Sequence, residues 1–202
     1  MSNTLSHNVL SDKISLTDIS FSYNNKDTVF NNYCASFEAG RLTAIMSPSG
    51  SGKTTLLYII AGLLEADKGT VTYPVENPRF SMVFQDCRLI EHVSVGDNIK
   101  LVNPSISDEA IAECLRRLML DGFIHKRVKQ LSGGEKQRAA IARAILAPYD
   151  ILLMDEPFTG LDDEVKDIVI KYIKSRTAGR TVLLVTHDKS EVMALDCPVI
   201  NL

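Results

Sequence analysis

Little in this sequence speaks for a metal-rich, membrane-spanning or nucleic-acid-coating protein, and each shortage excludes something. Cysteine is sparse: Cys34, Cys87, Cys114 and Cys197 lie far apart with no C-x-x-C pair, which disfavours a zinc site or a redox motif and fits reduced thiols. No apolar run approaches the roughly 20 residues that a membrane span needs, so action at a membrane would require another chain to cross it. The opening residues lack the basic start and apolar stretch of a secretory leader. Positive charge is not in excess, with 22 Lys and Arg against 25 Asp and Glu and a net charge of −3. That balance argues against a surface built for nucleic acid or anionic lipid and confines any phosphate recognition to a local site. Repeats, low-complexity tracts and proline-rich linkers are missing as well.

What is there fits an ordinary globular chain. The 202 residues are 45% hydrophobic and 23% charged, enough for one domain with a substantial core. Residues 14–23 and 29–37 alternate apolar and polar side chains around the polar turn 24–27, the pattern of an antiparallel pair. Leu42 to Met46 reads as a buried strand that feeds a glycine-rich loop, with a helix from Lys53 to Leu64 behind it. Short strands are expected at 69–73 and 80–84. Ser94 to Asp97 fits a capping box, and Ser107 before Asp108 and Glu109 fits a helix start. Ile111, Cys114, Leu115, Leu118 and Met119 recur at helical spacing and read as one core-facing stripe. Roughly 86–134 is therefore expected to form a helical lobe inserted between two parts of a sheet domain, 1–85 and 135–202. The remainder reads as a helix from Glu135 to Leu146, a strand Ile151 to Asp155 and a helix Asp162 to Arg176. A strand Thr181 to Thr186, a helix from Asp188 and a strand Val199 to Leu202 complete it. Such alternation implies an α/β chain with a mostly parallel sheet and crossover connections.

Three stretches carry chemistry. Ser47-Pro48-Ser49-Gly50-Ser51-Gly52-Lys53-Thr54-Thr55 matches a phosphate loop at every defining position but the first, where Ser47 stands for glycine. Gly50 and Gly52 let backbone N–H groups approach phosphates, Lys53 can reach the β- and γ-oxygens, and the Thr54 hydroxyl can ligate Mg²⁺. The apolar strand 151–155 delivers Asp155 and Glu156 to the carboxyl edge of a parallel sheet, where ligands sit. Asp155 would serve the magnesium shell and Glu156 would polarise an attacking water. A solvated acidic turn is the plainer reading of that pair, and Lys53 with Thr54 outweighs it. The third stretch is Ser132-Gly133-Gly134-Glu135, a second glycine pair opening a helix. A helix cap accounts for Ser132 but leaves the glycine pair unexplained. One nucleotide seldom needs two clusters of free N–H groups, so each is expected to serve a different copy of the chain, with ATP sandwiched between them.

With these motifs placed, the chain resembles the ATPase subunit of an ABC transporter over nearly its whole length. The resemblance implies the P-loop NTPase fold of ABC ATPase type, with an antiparallel β subdomain and a helical lobe beside the core sheet. It also implies ATP and Mg²⁺ as ligands and ATP hydrolysis as the activity. Leu131 to Glu135 matches the family signature, with Glu135 where glutamine is more usual, and places Ser132, Gly133 and Gly134 on the ATP of the opposite subunit, with Ser132 and Gly134 at its γ-phosphate. Gln85, after the strand Phe80 to Phe84, corresponds to the glutamine that links magnesium and water to the helical lobe, although a lone Gln there is more often a surface residue. His187, just after Thr181 to Thr186, matches the switch histidine, whose neutral imidazole would hydrogen-bond the γ-phosphate and orient the water with Glu156. Catalysis would thus rest on Glu156, His187, Lys53 and Gln85, and the metal on Thr54, Gln85 and Asp155.

Tyr23 matches the aromatic that stacks on adenine, while by pattern alone it is equally a core strand residue. Thr159-Gly160-Leu161-Asp162 matches the dimer-contact loop, and Asp162 also suits a helix cap. The expected partners are a second copy of the chain, transmembrane permease subunits reached through the helical lobe and Asp86 to Glu91, and a solute-binding receptor; nucleic acid is not expected. The place of action would be peripheral, at the cytoplasmic face of the cell membrane. Phe84 to Ile90 is loosely similar to that segment in importers of nitrate- and sulfonate-like solutes, which favours import over export and names no cargo. The sequence stops after its last strand, where many relatives carry a dimer-stabilising segment, so a dimer that needs ATP is expected. The competing readings are a soluble, non-transport ATPase of the same type and a regulator that barely hydrolyses ATP, the latter supported only by Ser47.

Overall fold

Two sheets divide the work of the computed structural model, which describes residues 12–24, 27–48 and 50–202. The first is antiparallel. Strands β1 (Lys13–Tyr23) and β2 (Asp27–Glu38) pair from Lys13↔Glu38 to Tyr23↔Asp27, and β4 (Lys68–Thr72) lies on the other side of β1. Alternation fixes which face is buried, and a register shift between Leu16 and Ile19, with Asp18 at φ 53°, resets its phase: Ile14 and Leu16 before the shift and Ile19 and Phe21 after it are buried, and Phe30 and Phe37 join them from β2.

The second sheet is parallel throughout, in the order β5-β6-β7-β3-β8, from β3 (Leu42–Met46), β5 (Phe80–Val83), β6 (Ile151–Asp155), β7 (Thr181–Thr186) and β8 (Val199–Asn201). Both faces are covered, so β6 and β7 are buried from end to end, as helix-flanked parallel strands are. Odd residues Ile151, Leu153, Leu183 and Val185 pack with the antiparallel sheet and with Leu56, Leu57 and Ile60 of helix α1 (Lys53–Ile60). Even residues Leu152, Met154, Val182 and Leu184 join the opposite core, made with α2 (Val95–Lys100), α3 (Asp108–Arg117), α4 (Gly133–Leu146) and α5 (Asp163–Thr177). Helix α6 (Lys189–Leu195) seats Leu195 in that same layer. Each such side chain contributes roughly 1.5–3 kcal/mol by leaving water.

Local rules account for most helix ends. Ser94 caps α2 in a reciprocal box with Asp97, Ser107 accepts from the Ala110 N–H at the start of α3, and Ser132 forms a box with Glu135 at the start of α4. Asp162 occupies the cap position of α5 without a side-chain cap bond. Two expectations need correction. The helix after the phosphate loop stops at Ile60, not Leu64, because Gly62 turns left-handed (φ 69°) and the Leu63 and Gly62 N–H groups bond back to Tyr58 and Ile59 carbonyls, a Schellman end. Met119 leaves the α3 stripe: it follows the cap Leu118, takes φ 56° and is half exposed, while Leu118 is buried. Among the described residues, no helix is long and apolar enough to cross a membrane.

Candidate active site

Because the five strands run parallel, the segments leaving β3, β5, β6 and β7 all emerge at one edge. They carry, in turn, the phosphate loop, Gln85, Asp155 with Glu156, and His187. A cavity of about 380 Å³ opens there. It gathers Gly50, Gly52, Lys53, Thr54 and Thr55 from the loop and α1, Asp155 and Glu156 from the end of β6, and Gln85, with Tyr23 and Val29 on the remaining wall. The Tyr23 hydroxyl is 3.1 Å from Thr55 Oγ1, the residue is 42% exposed, and its ring meets Phe21 edge-on.

Gly52 caps α1 at φ 95°, and a Cβ built there would lie 2.5 Å from Val29 Cγ1. Only glycine suits both the backbone angle and the space. Buried Lys53 donates from Nζ to the carbonyls of Ser47 at 2.7 Å and Pro48 at 3.0 Å. Its ammonium is thereby held at the centre of the loop. Ser47 keeps a negative φ, so serine fits where glycine was expected, and its hydroxyl donates to the Leu202 carbonyl at 3.2 Å. Ser51 Oγ is buried without a hydrogen-bond partner among the described residues. Ser49 lies outside the described residues.

Asp155 is 1% exposed. Its Oδ2 accepts from the Thr54 hydroxyl at 2.7 Å, whereas Oδ1 is buried and has no partner among the described residues. Burial raises its pKa, and the Thr54 bond only partly opposes that shift. An unsatisfied carboxylate oxygen beside a hydroxyl is the donor set a hard cation takes. Thr54 and Asp155 could hold such an ion, with Gln85 on the same cavity wall. No group of three or more His, Cys, Asp or Glu side chains converges among the described residues. Mg²⁺ binds through one or two carboxylates plus substrate phosphates and keeps its waters, a role that the Asp155 carboxylate beside the Thr54 hydroxyl fits.

Glu156 follows at φ 48°, its N–H donating to the Val185 carbonyl at 3.0 Å. Its carboxylate meets His187 Nδ1 at 2.8 and 2.9 Å. That hydrogen bond, reinforced by the carboxylate's charge, raises the His187 pKa. The geometry also bears on the expected neutral imidazole. An ionised carboxylate only accepts, so Nδ1 carries the proton, and a neutral ring then offers a phosphate nothing but an acceptor at Nε2. Donating to phosphate while holding Glu156 requires the imidazolium, the form that the raised pKa favours.

Ser132, Gly133 and Gly134 do not line this cavity. Ser132 and Gly133 are exposed at the start of α4, with open space around a Cβ at Gly133, whereas a Cβ built at Gly134 would lie 3.1 Å from the Gly160 carbonyl oxygen. Half of the glycine pair is thus explained by packing within the chain. Glu135 accepts from the Ser132 N–H at 2.7 Å, which lowers its pKa, and lies 3.7 Å from Lys126. A second cavity, of about 340 Å³, joins Gln85 to Gly133, Gly134, Thr159 and Gly160.

Sequence reasoning assigns no role to the residue between these parts, which it meets only as part of the stretch that continues the signature. Gln137, 4% exposed, donates to the Pro157 carbonyl at 3.0 Å and accepts from Cys87 Sγ at 2.8 Å. It fastens α4 to the segments following Glu156 and Gln85. Arg143 adds bonds to the carbonyls of Arg88 and Cys87, both at positive φ, and Arg138 reaches the carbonyls of Leu118 and Met119. Burial among apolar neighbours, at helical spacing from Ala140 and Ala144, is the one signal that could have separated Gln137 from a surface glutamine.

A phosphate loop fed by β3, facing a buried aspartate and a second carboxylate at the end of β6, defines a P-loop nucleotide-binding chain. The chain belongs to the ABC transporter family, whose model matches residues 30–159. It is 38% identical to a sulfate/thiosulfate import ATP-binding protein of Bacillus cereus, over 76% of this chain and 49% of that protein. A thiamine import ATP-binding protein of Vibrio vulnificus is 35% identical, over 78% of this chain and 74% of its own length. The chain thus spans about half the length of the first relative and about three quarters of the second. In shape it is similar to a bacterial ABC transporter cassette solved as a dimer, with a TM-score of 0.81 and 29% identity, covering 94% of each chain.

Proposed function

We propose that this chain is the ATP-hydrolysing subunit of an importer, that it works as two copies closed around ATP, and that it drives separate membrane-spanning subunits from the cytoplasmic face. One observation carries the reading. A single cavity gathers Lys53, Thr54, Asp155, Glu156 and Gln85, while Ser132 and Gly133 stand exposed elsewhere on the chain. Because Ser132 and Gly133 are off that cavity's wall, a γ-phosphate bound there would meet the exposed donors of a second copy. Import is supported by the names of the relatives, and pairing by the dimeric state of the similar cassette. A solute receptor is the remaining partner that an importer requires.

The residues divide the chemistry as follows. Lys53 exchanges the Ser47 and Pro48 carbonyls for phosphate oxygens, and the phosphate-loop N–H groups hold the β-phosphate. Thr54, Asp155 and Gln85 would hold Mg²⁺, which supplies charge neutralisation at the phosphates. Glu156 accepts a proton from water as the water oxygen bonds to the γ-phosphorus and the bond to the ADP oxygen breaks. His187, held by Glu156, donates from Nε2 to the γ-phosphate. Tyr23 offers its ring to the base. When phosphate leaves, the charge shared by the two copies is gone and the pair opens.

The test is Glu156→Gln with ATP. The amide cannot take the proton, so turnover should fall by about 10²-fold or more, and the ATP-bound protein should elute as a dimer while the nucleotide-free protein elutes as a monomer. Native turnover in this variant, or specific activity independent of protein concentration in the unaltered chain, would overturn the reading.

A further inference from the structure

Directly behind the turn that presents His187 lies a buried carboxylate with no task in the hydrolytic scheme. Glu191, on the first turn of α6, is 7% exposed. Its Oε2 accepts from the hydroxyl of Thr186, which is itself fully buried. The same Thr186 oxygen accepts the Asp188 N–H at 3.0 Å. Both neighbours of His187 are thereby tied to one carboxylate.

The tie extends further. Lys166 on α5 places Nζ 3.9 Å from Glu191 Oε1, 3.5 Å from Asp188 Oδ2 and 3.6 Å from Asp163 Oδ1. Helix α5 starts immediately after the 159–162 loop, whose Gly160 carbonyl oxygen would lie 3.1 Å from a Cβ built at Gly134. Burying a carboxylate is costly unless it is paired and hydrogen-bonded, and leucine would fill this position beside Val192 and Leu195 without that cost. Burial does push the Glu191 pKa up, with the Thr186 bond opposing. Lys166 loses solvation too, yet three carboxylates outweigh that loss and raise its pKa.

We infer that Glu191 and Lys166 are positioning residues, which lock the Thr186–Asp188 turn so that His187 meets Glu156 and which tie that turn through α5 to the 159–162 loop. The inference rests on the hydrolytic roles proposed for Glu156 and His187. A merely structural Glu191, favouring the start of α6 through the helix dipole, would change stability and leave the His187 contact alone.

Two readouts separate these roles: steady-state ATPase kinetics, and the nitrogen NMR shifts of the His187 ring in nucleotide-free protein, with Glu156→Gln marking the loss of the contact. Glu191→Leu and Thr186→Val each remove the hydroxyl-to-carboxylate bond. Both should lower kcat about tenfold or more, leave KM for MgATP within about twofold, and move the His187 shifts as Glu156→Gln does. Glu191→Gln and Thr186→Ser keep an oxygen acceptor and a hydroxyl, so both should stay within about threefold of native kcat with native His187 shifts. Lys166→Met should lower kcat with KM unchanged. If Glu191→Leu does not fold, Thr186→Val carries the test. Native His187 shifts in Thr186→Val or in a folded Glu191→Leu, or a loss that appears in KM alone, would overturn the inference. Should His187→Ala hydrolyse ATP at the native rate, the hydrolytic reading falls, and the His187 shifts still decide whether Glu191 positions the turn.

Discussion

His187 and Glu156 leave neighbouring strands and meet side chain to side chain, Nδ1 lying 2.8 Å from Oε2, with the histidine 64% exposed and the glutamate 15%. The hydrogen bond from Glu156 raises the His187 pKa above its ordinary 6.5. A basic group raised on folding adds stability that is fully present below its unfolded value and lost as pH rises through the folded one. Comparing the chain with His187→Gln by denaturant titration, without nucleotide, should therefore show a larger stability difference below pH 6.5 than at alkaline pH. Salt should shrink the difference, because the pair is open to solvent. A difference that stays constant with pH would mean that the pair does not titrate with folding.

The exposed Ser132 gives a test of the shared site. Ser132→Arg removes the cap that accepts from the Glu135 N–H, at a cost of about 1 kcal/mol of stability. Since Ser132 is not on the wall of the cavity holding Lys53 and Thr54, ATP affinity of dilute protein should stay within about twofold. Turnover should nevertheless fall to background, because a bulky cation would stand where the second copy's phosphate must approach. Weakened binding at every dilution would instead place Ser132 in its own chain's site.

The site residues readable from sequence share one property: their neighbours in the chain say what they do. Lys53 and Thr54 stand at the start of a helix after a glycine loop, and Asp155 and Glu156 end an apolar run, so local pattern sufficed. Gln137 and Arg143 act through backbone carbonyls 20 and 55 residues away in the chain, and no local pattern encodes such partners. Glu191 likewise looks like a surface residue until α6 folds onto Thr186. The errors in helix length had local causes that competed with periodicity: Gly62 ended α1 early, and Met119 kept the helical spacing while its backbone turned left-handed. Ser47 departs from a glycine pattern, but the strain that pattern implies depends on φ, which here is negative.

Asp155 illustrates a site held at some expense to the fold. Its raised pKa, caused first by burial, means that its contribution to stability is present below the ordinary 3.8 and lost as pH rises through the folded value. At neutral pH the ionised side chain opposes folding unless a cation joins it. Asp155→Asn keeps an acceptor for the Thr54 hydroxyl and removes the charge. Thermal unfolding without nucleotide should show a gain of about 0.5–2 kcal/mol, while the added stability from Mg²⁺ with ATP and the turnover are both lost. A less stable nucleotide-free variant would show that the carboxylate is satisfied within the chain.

The phosphate loop separates a replaceable glycine position from an irreplaceable one. Ser47 takes a negative φ and donates its hydroxyl to the Leu202 carbonyl, so Ser47→Gly removes one partly exposed bond and adds chain freedom. Together these cost about 1 kcal/mol of stability, and ATP affinity should stay within about threefold because no donor to phosphate is lost. Gly52→Ala is different in kind. At φ 95° an L-residue is strained by about 1–2 kcal/mol, and the new Cβ would sit 2.5 Å from Val29 Cγ1 and 3.1 Å from Phe30 Cζ. Either β2 moves or the loop does, and since Val29 and Gly52 both line the nucleotide cavity, both responses alter the cavity. Calorimetric titration with ATP should show at least a tenfold weaker affinity for Gly52→Ala. Equal affinities for the two variants would mean that the loop's conformation does not set binding.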